Sequence, residues 1–238
     1  MMALPFFYVE DILPSTLSVV LNEETSRHIV QVLRMQNSEQ LQLTDGKGNL
    51  FVAEITDNNR KKCVVKIVKT TADNPKPTAD TTIAISLIKN AHRFEWFLEK
   101  ATEIGVTAII PLICSRSEKQ HFRQERMQGI LISAMLQSQQ TWLPVLHAPT
   151  KFNDVIELAT QQQKMIAHCE EEKSKIQLAQ QPVNSLTAQL ILIGPEGDFT
   201  SEEIEHALQN NFIAVALGNT RLRTETAGVV AAALLCAR

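Results

Sequence analysis

LILIGPEGDFTSEEIEHA (190–207) and, ten residues further on, LGNTRLRTETAGVVAAALL (217–235) decide the fold. Each stretch runs from an apolar strand through glycine into a helix. In the first, Gly194 and Gly197 suit tight turning and close backbone approach, and Pro195 stiffens the loop. Thr200 and Glu203 spell a capping box, so a helix starts at about Ser201. In the second, Gly218 ends the strand, and Arg221, Arg223 and Glu225 precede a helix of small residues. Open α/β sheets bind ligands beyond the carboxyl ends of their strands, where both junctions lie. The plainer alternative for either is a strand–turn–helix joint with its caps.

Outward from these loops, strands and helices alternate from residue 82. TIAISLI (82–88), VTAIIPLI (106–113), KMIAH (164–168), QLILI (189–193) and FIAVAL (212–217) read as buried strands. Helices are expected at 94–104, where Phe94, Phe97, Leu98, Ala101 and Ile104 share a face ended by Gly105, and at 122–140, 152–162, 202–210 and 226–237. This alternation implies a mainly parallel sheet covered on both faces. Residues 40–70 instead hold three strands, QLQLTD and LFVAEIT by their alternation and CVVKIV by its β-branched residues, joined by Asp-Gly and Asp-Asn-Asn turns. A helix over 23–35, with Ile29, Val32 and Leu33 on one face, precedes them. TTADNPKPTADT (70–81) is polar and proline-containing, and reads as a linker. The expected organisation is a β-rich module over 1–72, a linker over 73–81 and an α/β domain over 82–238.

The 238 residues carry 23 Lys+Arg against 26 Asp+Glu, a net charge of −3, which excludes a uniformly basic nucleic-acid coat protein but not a local basic face. Hydrophobic residues at 44% and charged residues at 21% exclude wholesale disorder and a bundle of membrane spans. Cys63, Cys114, Cys169 and Cys236 have no metal-ligand spacing and form no C-x-x-C, so neither a zinc ribbon nor a disulfide framework is expected. Residues 1–9 lack the basic start of a signal peptide, and the longest apolar stretch, 227–237, is about half a membrane span. The expected location is the cytoplasm, with no metal.

G-x-x-x-x-G-K-[ST], an early G-x-G-x-x-G, H-E-x-x-H and G-x-S-x-G are all missing. That disfavours P-loop enzymes, ordinary Rossmann enzymes, zincins and α/β-hydrolases. Five of the six histidines read as surface or hydrogen-bonded residues. His168 stands apart, because KMIAH ends a strand and points toward the cleft of the glycine loops. Arg60, Lys61, Lys62, Lys89, Arg93 and Arg116 are candidates for a groove that tracks phosphates, with a solvated face as the alternative.

Ile193-Gly194-Pro195-Glu196-Gly197, followed by Leu217-Gly218 and Leu222-Arg223-Thr224-Glu225-Thr226-Ala227, closely resembles the SPOUT methyltransferases, and within them the 16S rRNA uracil-N3 methyltransferase family that modifies U1498. The segments 28–35 (HIVQVLRM, with Arg34) and 99–106 (EKATEIGV), Arg116-Ser117-Glu118 and Gln137-Ser138 also look like that family. The sequence departs from the pattern at Leu4-Pro5, Leu136, Gln140 and Asn219-Thr220, and at Asp198, where a second glycine is common. The resemblance implies a PUA-like RNA-binding barrel before a trefoil-knotted SPOUT domain, acting as a homodimer on 16S rRNA or the small ribosomal subunit. It implies S-adenosylmethionine as cofactor, held by His168, Cys169, Ile193, Gly194, Glu196, Gly197, Leu217, Gly218, Leu222 and Arg223. It also implies RNA contacts from Arg34, Arg60, Lys61, Lys62, Lys89, Arg93 and Arg116. Arg223 is the expected stabiliser of negative charge on the uracil, and Glu225 a base or orienter. Alternatively, those two residues pair across the dimer or cap the last helix. Competing functions are a SPOUT enzyme acting on tRNA or another rRNA base, and a non-catalytic RNA-binding assembly protein.

Overall fold

The structure is a computed structural model that describes residues 4–71, 80–117, 122–170, 174–180 and 187–236. Most of the expected linker lies outside the described residues. The chain forms two compact units, Met1–Lys76 with Met135–Leu143, and Pro77–Ala134 with Pro144–Arg238.

The first unit contains β1 (Phe6–Tyr8), β2 (Ser18–Val20), α1 (Glu23–Arg27), β3 (Gln40–Thr44), β4 (Leu50–Asp57) and β5 (Val64–Thr71). The five strands form one sheet in the order β1-β3-β4-β5-β2. All its pairs are antiparallel except β1 with β3. Alternate residues Leu41 and Leu43, Phe51, Ala53 and Ile55, and Cys63 and Val65 enter one core with Leu21 and Ile29, as a period of two dictates. Between β3 and β4 the Asp45 carboxylate accepts the backbone N–H of Lys47 at 2.8 Å and of Asn49 at 3.2 Å, which fixes the turn. Gly48 in that turn has φ +94°, and a Cβ there would overlap the Trp142 ring. Trp142 belongs to the 135–143 segment and pairs by a backbone bridge with Lys47.

The helix expected over 23–35 is only partly α-helical. Asn22 caps α1 through its side chain on Thr25 N–H, but residues His28–Val32 wind as a π-turn. Bonds such as Leu33 N–H to the His28 carbonyl, five residues back, rotate the face out of the expected register. Ile29 is fully buried, whereas Val32 is 67% and Leu33 42% exposed. Met35 is buried in their place, after Arg34 turns the chain at φ +56°.

The second unit contains β6 (Thr81–Ser86), α2 (Ala91–Ile104), β7 (Ala108–Ile113), α3 (Gln124–Gln137, whose end joins the first unit), β8 (Val145–Leu146), β9 (Thr150–Lys151), α4 (Phe152–Leu158), β10 (Gln163–Ala167), β11 (Ile176–Gln177), β12 (Gln189–Ile193), α5 (Ser201–Gln209), β13 (Ile213–Ala216) and α6 (Thr224–Cys236). Seven strands run β11-β13-β10-β12-β6-β7-β8, and β9 also pairs with β7. Every pair is parallel. The central β6 and β12 are buried along their whole length, as helices on both faces require. Ala84, Ile166, Leu190 and Leu192 pack on one face with Phe152 and Ile156 of α4 and Ile204 and Ala207 of α5. On the other face, α6 lies against β6 and α2. Gly105 caps α2 in the left-handed conformation, as expected. The helices expected at 122–140 and 152–162 are shorter, and Ile104 is only partly buried.

Candidate functional site

The carboxyl ends of β10, β12 and β13 open into one cleft of about 780 Å³. Three exit loops wall it, because the three strands are neighbours and parallel. The β10 exit supplies His168 and Cys169, the β12 exit supplies Ile193 to Glu196 and Asp198, and the run 217–224 closes the third side. Arg93, in the first turn of α2, reaches the same cleft.

These loops are tied together. Thr224 donates its hydroxyl to the Gly194 carbonyl at 3.0 Å, fixing the start of α6 to the β12 loop. Asp198 accepts the Cys169 N–H at 2.7 Å and the Phe199 N–H at 2.9 Å, joining the β10 and β12 loops. Ser201 donates to Glu170 at 2.6 Å across the same gap. Arg116 Nη1 donates to the carbonyls of Gly197 at 2.6 Å and Phe199 at 3.3 Å. The expected capping box is present: Thr200 accepts the Glu203 N–H, and Glu203 Oε2 accepts the Thr200 N–H. Glu203 Oε1 also takes the Ser115 N–H at 2.8 Å. Nearby, burial pushes the Cys114 thiol up to about 12, so this cysteine is a packing residue rather than a nucleophile at neutral pH.

The β12 loop departs from the glycine logic expected of it. Gly194 does serve a close approach, since a Cβ would stand 3.1 Å from the Phe199 ring. Gly197 meets nothing tighter than ordinary contact with Arg116. The left-handed position is Asp198, at φ +64°. An aspartate tolerates that conformation when its side chain bonds locally to the backbone, as it does here.

Asp198→Gly keeps the backbone but removes both carboxylate hydrogen bonds. Charge-assisted bonds of this kind are worth about 1.5–3 kcal/mol when shielded and less when exposed. The Cys169 amide should then exchange with deuterium on the order of tenfold faster. Asp198→Asn, which keeps an acceptor, should exchange nearly as slowly as the parent. Equal protection in Asp198→Gly would show that the latch holds nothing.

Nine of the ten expected cofactor residues line the cleft: His168, Cys169, Ile193, Gly194, Glu196, Leu217, Gly218, Leu222 and Arg223. Gly197 lies off it, beside Arg116. Glu225 is not a lining residue. Its side chain is 8% exposed, and Oε1 lies 3.6 Å from Arg93 Nε. Sequence reasoning missed Lys175 and Asp198 as lining residues and placed Arg93 among phosphate contacts. Lys175 has no local pattern to announce it. It donates to the Glu170 carbonyl at 2.8 Å.

The chain matches the RNA methyltransferase domain over residues 74–236 and the RNA methyltransferase PUA domain over residues 21–68. It belongs to the RNA methyltransferase family. The ribosomal RNA small subunit methyltransferase E of Synechocystis is 31% identical over 228 residues, covering 94% of this chain and 74% of that protein. A probable rRNA-methyltransferase of Porphyromonas gingivalis is 40% identical with a TM-score of 0.89, covering 96% of this chain and 95% of that one. The ribosomal RNA small subunit methyltransferase E of Neisseria gonorrhoeae, solved bound to S-adenosyl methionine, is 29% identical with a TM-score of 0.82, covering 97% and 95%. The two-part fold expected from the sequence, a PUA-like β module before a SPOUT-type parallel-sheet domain, is the fold of this RNA methyltransferase.

Within the RNA methyltransferase the expected RNA-contacting set divides between the units. Arg34, Arg60, Lys61 and Lys62 are exposed on the first. Lys89, Arg93 and Arg116 belong to the second, where Arg93 sits in the cleft and Arg116 holds the β12 loop. No described helix is long and apolar enough to cross a membrane.

Proposed function

We propose that this cleft binds S-adenosylmethionine and that the enzyme methylates N3 of one uridine, U1498, in the 16S rRNA of the small ribosomal subunit. The reading extends to a homodimer with a knotted C-terminal domain, working on ribosomal particles in the cytoplasm. It is carried by one observation: three neighbouring parallel strands end in loops that wall a single cleft, and nine residues of the family's motif converge there.

The residues present suit the cofactor. Its volume lies within the range of small-molecule sites, which are mostly apolar with a few convergent polar groups. Ile193, Val215, Leu217, Leu222 and Ala227 offer apolar surface for a purine. Arg93, Arg221, Arg223 and Lys175, with Glu196 and Asp198, offer partners for a zwitterionic amino-acid tail. When bound, S-adenosylmethionine supplies a methyl group already activated on a sulfonium. The protein's work is therefore mainly positioning.

Uracil N3 carries a proton and is a weak nucleophile until that proton departs to water. Arg223, exposed on the cleft wall, presents a planar donor fork to the carbonyl oxygens where negative charge gathers. The target base leaves its stack to reach the cleft, as base-modifying enzymes require. Exposed basic residues hold the flanking backbone, so affinity for the particle falls as salt rises.

Small-subunit particles from a strain lacking the enzyme, incubated with it and S-adenosylmethionine, should gain 3-methyluridine at a single position on nucleoside mapping. A different methylated nucleoside would replace the substrate assignment. No product and no cofactor binding by calorimetry would overturn the reading.

A further inference from the structure

Arg93 stands where helix stability alone would not place it. It lies in the first turn of α2, a turn without acidic residues. A cation there opposes the helix macrodipole. Two carboxylates from distant segments compensate it: Glu196 Oε1 at 3.4 Å from Nη1, and Glu225 Oε1 at 3.6 Å from Nε. Glu196 is on the β12 exit loop and Glu225 in the first turn of α6. The guanidinium side chain is 36% exposed and lines the cleft, while Glu225 is buried behind it.

Glu225 Oε2 has no hydrogen-bond partner among the described residues. Among the described residues the Glu225 carboxylate pairs with one cation, Arg93, and removing that cation would leave a buried charge uncompensated. Arg93 carries five N–H donors, and the two contacts engage only two of its nitrogens. The remaining donors are held in a fixed plane at the wall of the cleft.

We propose that Arg93 binds an anionic oxygen inside the cleft, and that Glu225 is its positioning residue rather than a base. This rests on the functional reading above. The oxygen has two possible sources: the cofactor's carboxylate, or the uracil carbonyl that gathers charge as N3 loses its proton. Both are planar oxygen acceptors that suit a guanidinium fork.

The test compares the parent enzyme with Arg93→Ala, Arg93→Lys, Glu225→Gln and the Arg93→Ala/Glu225→Gln double variant. Calorimetry reads binding of S-adenosylmethionine and of its decarboxylated analogue. Steady-state methylation of small-subunit particles separates kcat from KM. Thermal melting checks the fold, and Arg93→Lys keeps the charge should the alanine variant fail to fold.

If the oxygen is the cofactor's, Arg93→Ala weakens S-adenosylmethionine on the order of tenfold or more and leaves the decarboxylated analogue unaffected. If it is the base's, cofactor affinity holds and kcat falls by a similar factor. In either case Glu225→Gln moves the same parameter in the same direction, and the double variant is no worse than Arg93→Ala alone, because Glu225 acts through Arg93.

Parent-like binding and turnover in Arg93→Ala would overturn the proposal. So would a Glu225→Gln loss that multiplies with the arginine loss, or a Glu225→Gln variant indistinguishable from the parent. A parent enzyme that binds no S-adenosylmethionine would bring down the functional reading and this inference with it. A parent that methylates normally beside an unimpaired Arg93→Ala brings down this inference only.

Discussion

Arg223→Ala is expected to lower methylation of small-subunit particles by about 10²–10³-fold while the protein stays folded. The factor is that for removing one preorganised donor from a site where charge develops. Arg223 is exposed, directly precedes α6 and lines the cleft. Among the described residues no carboxylate pairs with it, unlike Arg93. Its loss therefore breaks no ion pair, and the melting temperature should move by no more than a surface substitution moves it. Arg223→Lys keeps the charge but loses the fork, and should recover only part of the rate. Single-turnover rates and thermal melting check both statements, and parent-like turnover in Arg223→Ala would remove this residue from the chemistry.

Gly228→Val should strongly destabilise the second unit. Gly228 lies on α6, and a Cβ there would come within 2.6 and 2.7 Å of the Phe97 ring and 2.8 Å of Ile85 Cδ1. Phe97 on α2 and Ile85 on β6 are both fully buried, so neither can swing into solvent. For alanine, two effects compete: a helix-propensity gain of about 1 kcal/mol against an overpacking cost of roughly 1–3 kcal/mol. Valine adds more volume and forfeits most of the gain, so the cost prevails. A loss of about 3 kcal/mol corresponds to a fall in melting temperature of roughly 6–12 °C for a domain of this size. Displacing α6 also moves Thr224 off Gly194 and Glu225 off Arg93. Cofactor affinity should therefore fall together with stability. Melting and calorimetry on one preparation would show whether the two losses travel together.

The elements that announce themselves in sequence are those whose cause is local. The capping box at Thr200 and Glu203 and the helix stop at Gly105 depend on residues within a turn of each other, and both appear as expected. The parallel sheet was legible because the buried β6 and β12 carry short apolar runs, Ile83–Ile85 and Leu190–Ile193, between helical segments. What stayed hidden depends on partners far along the chain. Gly228 looked like one more small residue in a small-residue helix, and it is Phe97, 131 positions away, together with Ile85, that makes it obligatory. Arg93 read as a phosphate contact because its carboxylates lie 103 residues away at Glu196 and further still at Glu225. In the first unit, the three-residue strands β1 and β2 are too short for a pattern. The π-turn at His28–Val32 mimics an ordinary helix in composition but not in register.

The stretch Met135–Leu143 belongs with the first unit although the second unit's chain flanks it on both sides in sequence order, Pro77–Ala134 before it and Pro144–Arg238 after. A truncation at residue 76 would thus produce a fragment whose Gly48 hollow has lost its tryptophan plug. Any attempt to express the β module separately needs those nine residues grafted back, and a clean cut at the proline-rich stretch, attractive on paper, would yield an incomplete domain.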